Sequence, residues 1–196
     1  MESKITISRK IGESSKIVLR QHWGNSTPEQ GAAAVFVWSD KGLQVRVAMA
    51  DQAINNTATG LKQKTWELGD VAEIFIKPVA EDSAYYEFHV TPQNVILDLA
   101  IQSADKVSNA WQDRHQYQSK ARSRTMISKG SWVAQLFIPW EALSFKPQMG
   151  CEMKLAVCRY NYFDAKDNSK IEYSSSAPLS ELNYHRPWEW NTAVLK

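Results

Sequence analysis

The sequence predicts an all-β protein, a sandwich of two antiparallel sheets, on three observations. Short runs alternate apolar and polar residues, as half-buried strands do, because successive side chains leave a pleated backbone on opposite faces. Turn-forming residues separate these runs, and helical periodicity is almost absent. Some eight to eleven such runs are legible, which argues for a sandwich. No internal repeat, low-complexity tract or linker divides the 196 residues, so one domain spanning 1–196 is expected.

Taken in order, Ile5–Ile11 and Lys16–Gln21 read as the first strands, and Trp23-Gly24 opens a polar connection through Pro28 to Gly31. Ala32–Trp38 and Leu43–Asp51 form a hairpin on Ser39-Asp40-Lys41-Gly42, which supplies the turn residues a hairpin wants. Leu43, Val45, Val47 and Met49 make a regular apolar face. Residues 52–65 are polar and aperiodic, so a long surface loop is expected to deliver the chain to Trp66.

The stretch from Trp66 to Asp98 organises the rest. It holds the strand-like runs Val71–Lys77, Tyr85–Thr91 and Asn94–Leu99. Ala72, Ile74 and Ile76 share one face of the first run, with Val71, Glu73 and Phe75 on the other. In the second, Tyr86, Phe88 and Val90 oppose Tyr85, Glu87, His89 and Thr91. Glu73 and His89 therefore fall on the mixed faces of their strands, just downstream of a tryptophan.

Ala100–Tyr117 reads as an irregular polar connection holding Trp111. Lys120–Ile127 and Trp132–Ile138 are strands around a Lys129-Gly130 turn, and Pro139–Leu143 is a single helical turn with Pro at its start. Glu152–Tyr160 is a further strand. The tail, Ala177–Lys196, gathers Tyr184-His185-Arg186-Pro187-Trp188-Glu189-Trp190 and ends on a short apolar strand.

Composition excludes several classes. Hydrophobic content of 43% with 22% charged residues is ordinary for a soluble domain. No apolar run approaches the ~20 residues that cross a bilayer, so no membrane partner is expected. A net charge of +2 leaves no electrostatic footprint for nucleic acid; Lys120, Arg122 and Arg124, at period two, read as the solvated face of a strand. Cys151 and Cys158 lie about 23 Å apart along an extended strand at ~3.3 Å per residue, beyond the ~4.4–6.8 Å reach of a disulfide. The start, MESKITISRK, lacks the apolar core of a secretory signal. The chain is thus intracellular, or the mature form of a secreted or periplasmic protein.

The residue types suit sugar binding. A sugar ring has a C–H face for an aromatic plane and a rim of hydroxyls for rigidly placed donors and acceptors. Trp66 fits the first role or a core role equally well. Glu73 fits the second, or a salt bridge to Lys or Arg, and His89 fits it too, or is a satisfied polar residue on a sheet. Trp23, Trp38, Trp132 and Trp140 read as core; Trp111, Trp188 and Trp190 are assigned to neither. Arg159 reads as a salt-bridge partner for a carboxylate such as Glu87, and His185-Arg186-Pro187 as a loop former. No G-x-S-x-G, H-E-x-x-H, phosphate loop or paired Cys ligands are present. Glu73 and Glu87 would serve a glycosidase only if set about 5–9.5 Å apart, one of them an acid of raised pKa.

Four blocks resemble the family 9 carbohydrate-binding modules: AAVFVWSDKGLQVRVAMAD, WELGDVAEIFIKP, YYEFHVTPQN and WVAQLFIPWEAL, with a closing Tyr-His-Arg-Pro. Together they span nearly the whole chain from Ala32 onward. The resemblance implies a jelly-roll-like β-sandwich that binds an oligo- or polysaccharide without cleaving it. A terminal sugar would be clamped between Trp66 and Tyr184, with Glu73, His89 and Thr91 reaching its hydroxyls and Arg186 in range. Asp51 matches a carboxylate of a calcium-bracing loop. The chain departs from the pattern in one extra residue between Trp66 and Glu73, in Ala134 or Gln135 where a Glu is usual, and in a Tyr as second clamp. Two other classes remain beside this one. A DOMON-type haem or redox module would use Met49, Met126 or Met153 with His89, and a purely structural domain would lack an open aromatic cleft.

Overall fold

The computed structural model describes residues 4–21, 23, 24, 26–164 and 170–196. The first three residues of the MESKITISRK start and part of the Trp23–Gly31 connection lie outside them. Among the described residues the strands are β1 (Ile5–Ile7), β2 (Lys16–Val18), β3 (Ala32–Ser39), β4 (Gly42–Ala50), β5 (Val71–Lys77), β6 (Tyr85–Val90), β7 (Ile96–Ile101), β8 (Arg122–Ser128), β9 (Ser131–Pro139), β10 (Glu152–Tyr162), β11 (Ile171–Ser175) and β12 (Asn191–Leu195). One short helix, α1 (Val107–Gln112), joins them.

The five-stranded sheet runs β2-β3-β4-β9-β8, all antiparallel. Its alternation is clean because one face is wet: Leu43, Val45, Val47 and Met49 point inward while Gln44 and Arg46 face solvent. The facing sheet has seven strands in the order β1-β12-β10-β5-β6-β7, with β11 pairing the second half of β10. The predicted jelly-roll-like sandwich is thus present. Between the sheets lies one core, to which β5 and β6 contribute Ala72, Ile74, Ile76, Phe88 and Val90, the faces assigned from alternation.

The outer face of the seven-stranded sheet is also covered. Phe75, Tyr85, Leu97, Leu99, Ala156 and Cys158 form a second cluster with Tyr184 and Trp190, and Trp66 and Trp111 pack on it. That cover explains why β5 is buried on both faces at every position but its last. It also supplies the walls of the cleft described below.

Several elements differ from the sequence reading for local reasons. The first strand stops at Ile7, not Ile11, because the Ser14 and Ser15 hydroxyls accept from the backbone N–H groups of Ser8 and Thr6, both at 2.9 Å. It pairs with β12 in parallel, the one parallel strand pair among the described residues. The second strand is likewise short, with Arg20 and Gln21 in isolated bridges. The third strand of the central stretch begins at Ile96, since Asn94 (φ 65°) closes a turn back onto Thr91. Residues 100–117 hold α1, whose Val107, Ala110 and Trp111 form the stripe packed on the second cluster.

Residues 52–65 are not a free surface loop. The buried Asn56 side chain donates to the Thr65 and Asp70 carbonyls at 2.9 and 3.0 Å, and Ala58 is buried behind it. Arg159 pairs with Asp51, not Glu87, because strand parity puts Arg159 on the inner face and Glu87 on the outer. Of the tryptophans, Trp38, Trp132, Trp140 and Trp190 are buried, and each ring N–H donates to a protein oxygen. Trp23 is half-buried against Tyr184, and Trp188 is 61% exposed.

Candidate functional site

A cleft of about 620 Å³ opens on the outer face of the seven-stranded sheet, within the roughly 300–1,000 Å³ range of small-ligand sites. Glu73 of β5 and Glu87 of β6 lie at its floor. Its walls are Trp66, Lys64, Trp111 and Val107 on one side, and Tyr160, Tyr173 and the segment Leu182–His185 on the other.

Trp66 is held by a dense local network. It sits in the 3-10 turn Thr65–Glu67, anchored by Asn56, and its carbonyl accepts from the Tyr162 hydroxyl. Asp70 accepts from the N–H groups of Asn55 and Tyr162 at 2.6 and 2.7 Å, tying the loop to β10. The ring stands edge-on to His89 (centroids 5.5 Å, 70°) and to Trp111 (5.4 Å, 79°). The guanidinium of Arg114 covers Trp111 at 4.3 Å, a contact that desolvates and stiffens this wall.

At the floor, antiparallel register sets Glu73 directly opposite His89, and Glu87 two residues along the same strand face. All three are at most 4% exposed. His89 Nε2 lies 2.5 Å from Glu87 Oε1 and 3.4 Å from Glu73 Oε1. Its Nδ1 is 2.7 Å from the Thr65 hydroxyl. His185 enters from the tail loop, with Nδ1 2.8 Å from the Tyr85 hydroxyl and Nε2 3.9 Å from Glu87 Oε2.

Burial pushes the Glu73 carboxyl up to about 8, against the pull of His89. Burial would raise Glu87 too, but His185 and His89 outweigh it and hold Glu87 below the usual range. Burial would lower His89, yet its two carboxylate neighbours raise it. The electrostatics therefore favour a neutral Glu73 beside an imidazolium–carboxylate pair.

Among the residues singled out from sequence, Trp66, Glu73 and Tyr184 line this cleft, and His89 lies beneath Trp66. Tyr184 is only 5% exposed, with its hydroxyl donating to the Arg159 carbonyl at 3.0 Å, so it offers a ring edge more than an open face. Thr91 is buried in the turn after β6, where its hydroxyl accepts from the Val95 N–H at 3.1 Å, and it does not line the cleft. Arg186 is bound to Glu181 and Glu189 and packs over Trp188 at 5.0 Å, also outside it. Asp51 does not fit a calcium ion: Oδ1 accepts from the Ala53 N–H, and Oδ2 from Trp132 and Arg159. Gln135 and Ala134, at the usual Glu region, belong to the other sheet.

Sequence reasoning missed Tyr160, Tyr173, Asn183 and His185 as cleft residues and left Trp111 open. Tyr160 was findable, since it shares parity with Cys158, the register partner of Glu73. The redox reading finds no ligand pair, because Met49 and Met153 sit in the inter-sheet core and Met126 on the outer face of the five-stranded sheet. On that outer face lies a second groove of about 590 Å³, lined by Arg46, Arg122, Arg124, Gln135 and Phe137. No buried ionisable side chain lines it, so the cleft is the better candidate.

The family described as carbohydrate family 9 binding domain-like matches residues 12–196. The fold is similar to a family 9 carbohydrate-binding module from Caldicellulosiruptor kristjanssonii in complex with cellotriose, at a TM-score of 0.69 and 15% identity over 99% of this chain and 94% of that one. A module of the same family and organism in complex with glucose gives 0.64 and 15% over 97% and 95%. A Bacteroides uniformis protein gives 0.70 and 14% over 99% and 100%. No curated protein matches the sequence.

Proposed function

The chain belongs to the carbohydrate family 9 binding domain-like family, and from that premise we propose that the cleft over Glu73 and Glu87 is where it binds sugar. Carbohydrate binding is the family's function. The observation that carries the placement is Trp66, half-buried at the cleft wall directly above a floor of buried, hydrogen-bonding side chains. An aromatic edge and face meet the C–H surface of a pyranose, while Glu73, Glu87 and His185 present acceptors and donors to its hydroxyls. Trp111 extends the Trp66 wall, and Tyr184, the second clamp of the sequence reading, joins Tyr160 and Tyr173 in the opposing aromatic wall. Two structural neighbours hold cellotriose and glucose, so a terminal glucose-type ring is the first ligand to test.

The same floor supports a binding role without cleavage. His89 Nε2 stands between the two carboxylates, 3.4 Å from Glu73 and 2.5 Å from Glu87, where the glycosidic oxygen would have to enter. We read residues 1–196 as a single binding domain on the same grounds.

The test is calorimetry and tryptophan fluorescence with cello-oligosaccharides and glucose. Trp66→Ala should weaken binding by about 1–3 kcal/mol, the scale of burying a large side chain, or roughly 5- to 150-fold, with the circular dichroism spectrum unchanged. Incubation with the same sugars should release no new reducing ends. Wild-type affinity in Trp66→Ala would move the site elsewhere.

A further inference from the structure

We propose that Glu73, Glu87, His89 and His185 together bind one divalent transition-metal ion, of which zinc is the type, at the floor of the cleft. The first ground is convergence. His89 Nε2 faces an oxygen of Glu87 at 2.5 Å and one of Glu73 at 3.4 Å, and His185 Nε2 faces the second oxygen of Glu87 at 3.9 Å. Tetrahedral zinc with bonds of about 2.0–2.2 Å sets its donors roughly 3.3–3.6 Å apart. The donor atoms of Glu73, Glu87 and His89 all lie within 4.8 Å of one another, and opening the His89–Glu87 contact by about 1 Å while the His185 ring swings inward would give that spacing.

The second ground is orientation. Each imidazole is tied through Nδ1 to a hydroxyl, His89 to Thr65 at 2.7 Å and His185 to Tyr85 at 2.8 Å. Once the ion displaces any proton from Nε2, the remaining proton sits on Nδ1 and is donated outward, which leaves Nε2 as a lone-pair donor aimed at the carboxylates. Metal-ligating histidines are held in this way by outer-shell partners.

The third ground is an unmet valence. Glu87 is 96% buried by its 4% exposure, and its Oε2 has no hydrogen-bond partner. Among the described residues no Lys or Arg pairs with Glu73 or Glu87, so a dication can enter this floor by displacing the protons that it holds without one. A dication with two carboxylates and two neutral imidazoles is a neutral assembly, which suits burial. The mixed nitrogen and oxygen donor set favours zinc, iron, cobalt or nickel over calcium and magnesium, which take oxygen ligands. Glu73, Glu87 and His185 border the open cleft, so the ion has a way in.

The inference does not need the sugar reading, and the experiment separates the two. The full chain is stripped with a chelator and titrated with zinc chloride in a calorimeter, and its melting temperature is read with and without zinc. One ion should bind per chain, and melting should rise. Glu87→Gln and His185→Ala should each weaken zinc binding 10- to 100-fold, the usual effect of losing a ligand or its support. Circular dichroism confirms that each variant is folded. His185→Ala, on the tail loop, keeps the test sound if Glu87→Gln does not fold. Cys151→Ser, away from the cleft, should leave zinc affinity unchanged. Absence of one-to-one binding, or wild-type affinity in His185→Ala, overturns the proposal. Glucose and cellotriose are titrated into the stripped and zinc-loaded protein in parallel. Sugar binding without zinc binding sinks the metal site alone, and zinc binding without sugar binding sinks the sugar reading alone.

Discussion

Asp51→Ala should destabilise the fold by about 3–5 kcal/mol, the cost of stranding one partner of a buried ion pair. Both partners are 1% exposed. Arg159 reaches from β10 across the inter-sheet space, giving Nη2 to Asp51 Oδ2 at 3.0 Å and to Asn161, and Nη1 to the Gln30 carbonyl at 3.0 Å. Trp132 donates to the same Asp51 oxygen at 3.1 Å. Removing the carboxylate leaves the buried guanidinium without its countercharge and the Trp132 indole N–H without its acceptor. Urea denaturation should show a lower midpoint at an unchanged slope. The companion is the double variant Asp51→Leu with Arg159→Met, which removes both charges and should recover most of the loss. A single variant that costs less than about 1 kcal/mol would mean that the pair lies in a wetter interior than its burial indicates.

Gly69→Ala should be nearly as damaging and should also reach the cleft. Gly69 has φ +134°, and a Cβ there would stand 2.3 Å from the Asn55 carbonyl oxygen and 2.7 Å from the Asn56 Cα. Neither atom belongs to a flexible side chain, so backbone must move. Strain of this kind costs on the order of 1–3 kcal/mol, and the displaced backbone carries Asn56, the anchor of the Thr65–Glu67 turn. The expected result is a lower melting temperature together with weaker cellotriose binding, because Trp66 and the Thr65–His89 contact shift with the turn. Gly130→Ala is the control. It too has positive φ, but its Cβ meets nothing within 4 Å, so it should cost less and leave binding untouched.

Period-two alternation made the inter-sheet core legible in the sequence. Leu43, Val45, Val47 and Met49 could be placed from spacing alone, as could Ala72, Ile74 and Ile76. Parity likewise put Glu73 and His89 on one face, and the register sets them side by side. What spacing did not supply was the cover over that face. A strand buried on both sides alternates less visibly, and the walls come from segments distant in sequence: the loop before Trp66, α1 and the tail. Thr91 has the right parity but lies past the end of β6 in a turn, so parity alone overcounts the floor. Arg186 illustrates another limit. It neighbours His185 in sequence, yet two acids in its own loop claim it.

The parallel pairing of β1 with β12 has a mechanical consequence. Ile5 stands beside Ala193 and Ile7 beside Leu195, so the chain enters at one end of this ladder and leaves at the other. Tension carried along the chain therefore drags the two strands past each other lengthwise. Their hydrogen bonds, with the Lys196 N–H to Ile7 carbonyl bond at 2.9 Å at the far end, resist together rather than opening one after another. A hairpin pulled from its open end would peel. This edge is loaded in shear, so such tension meets a ladder that fails as a unit.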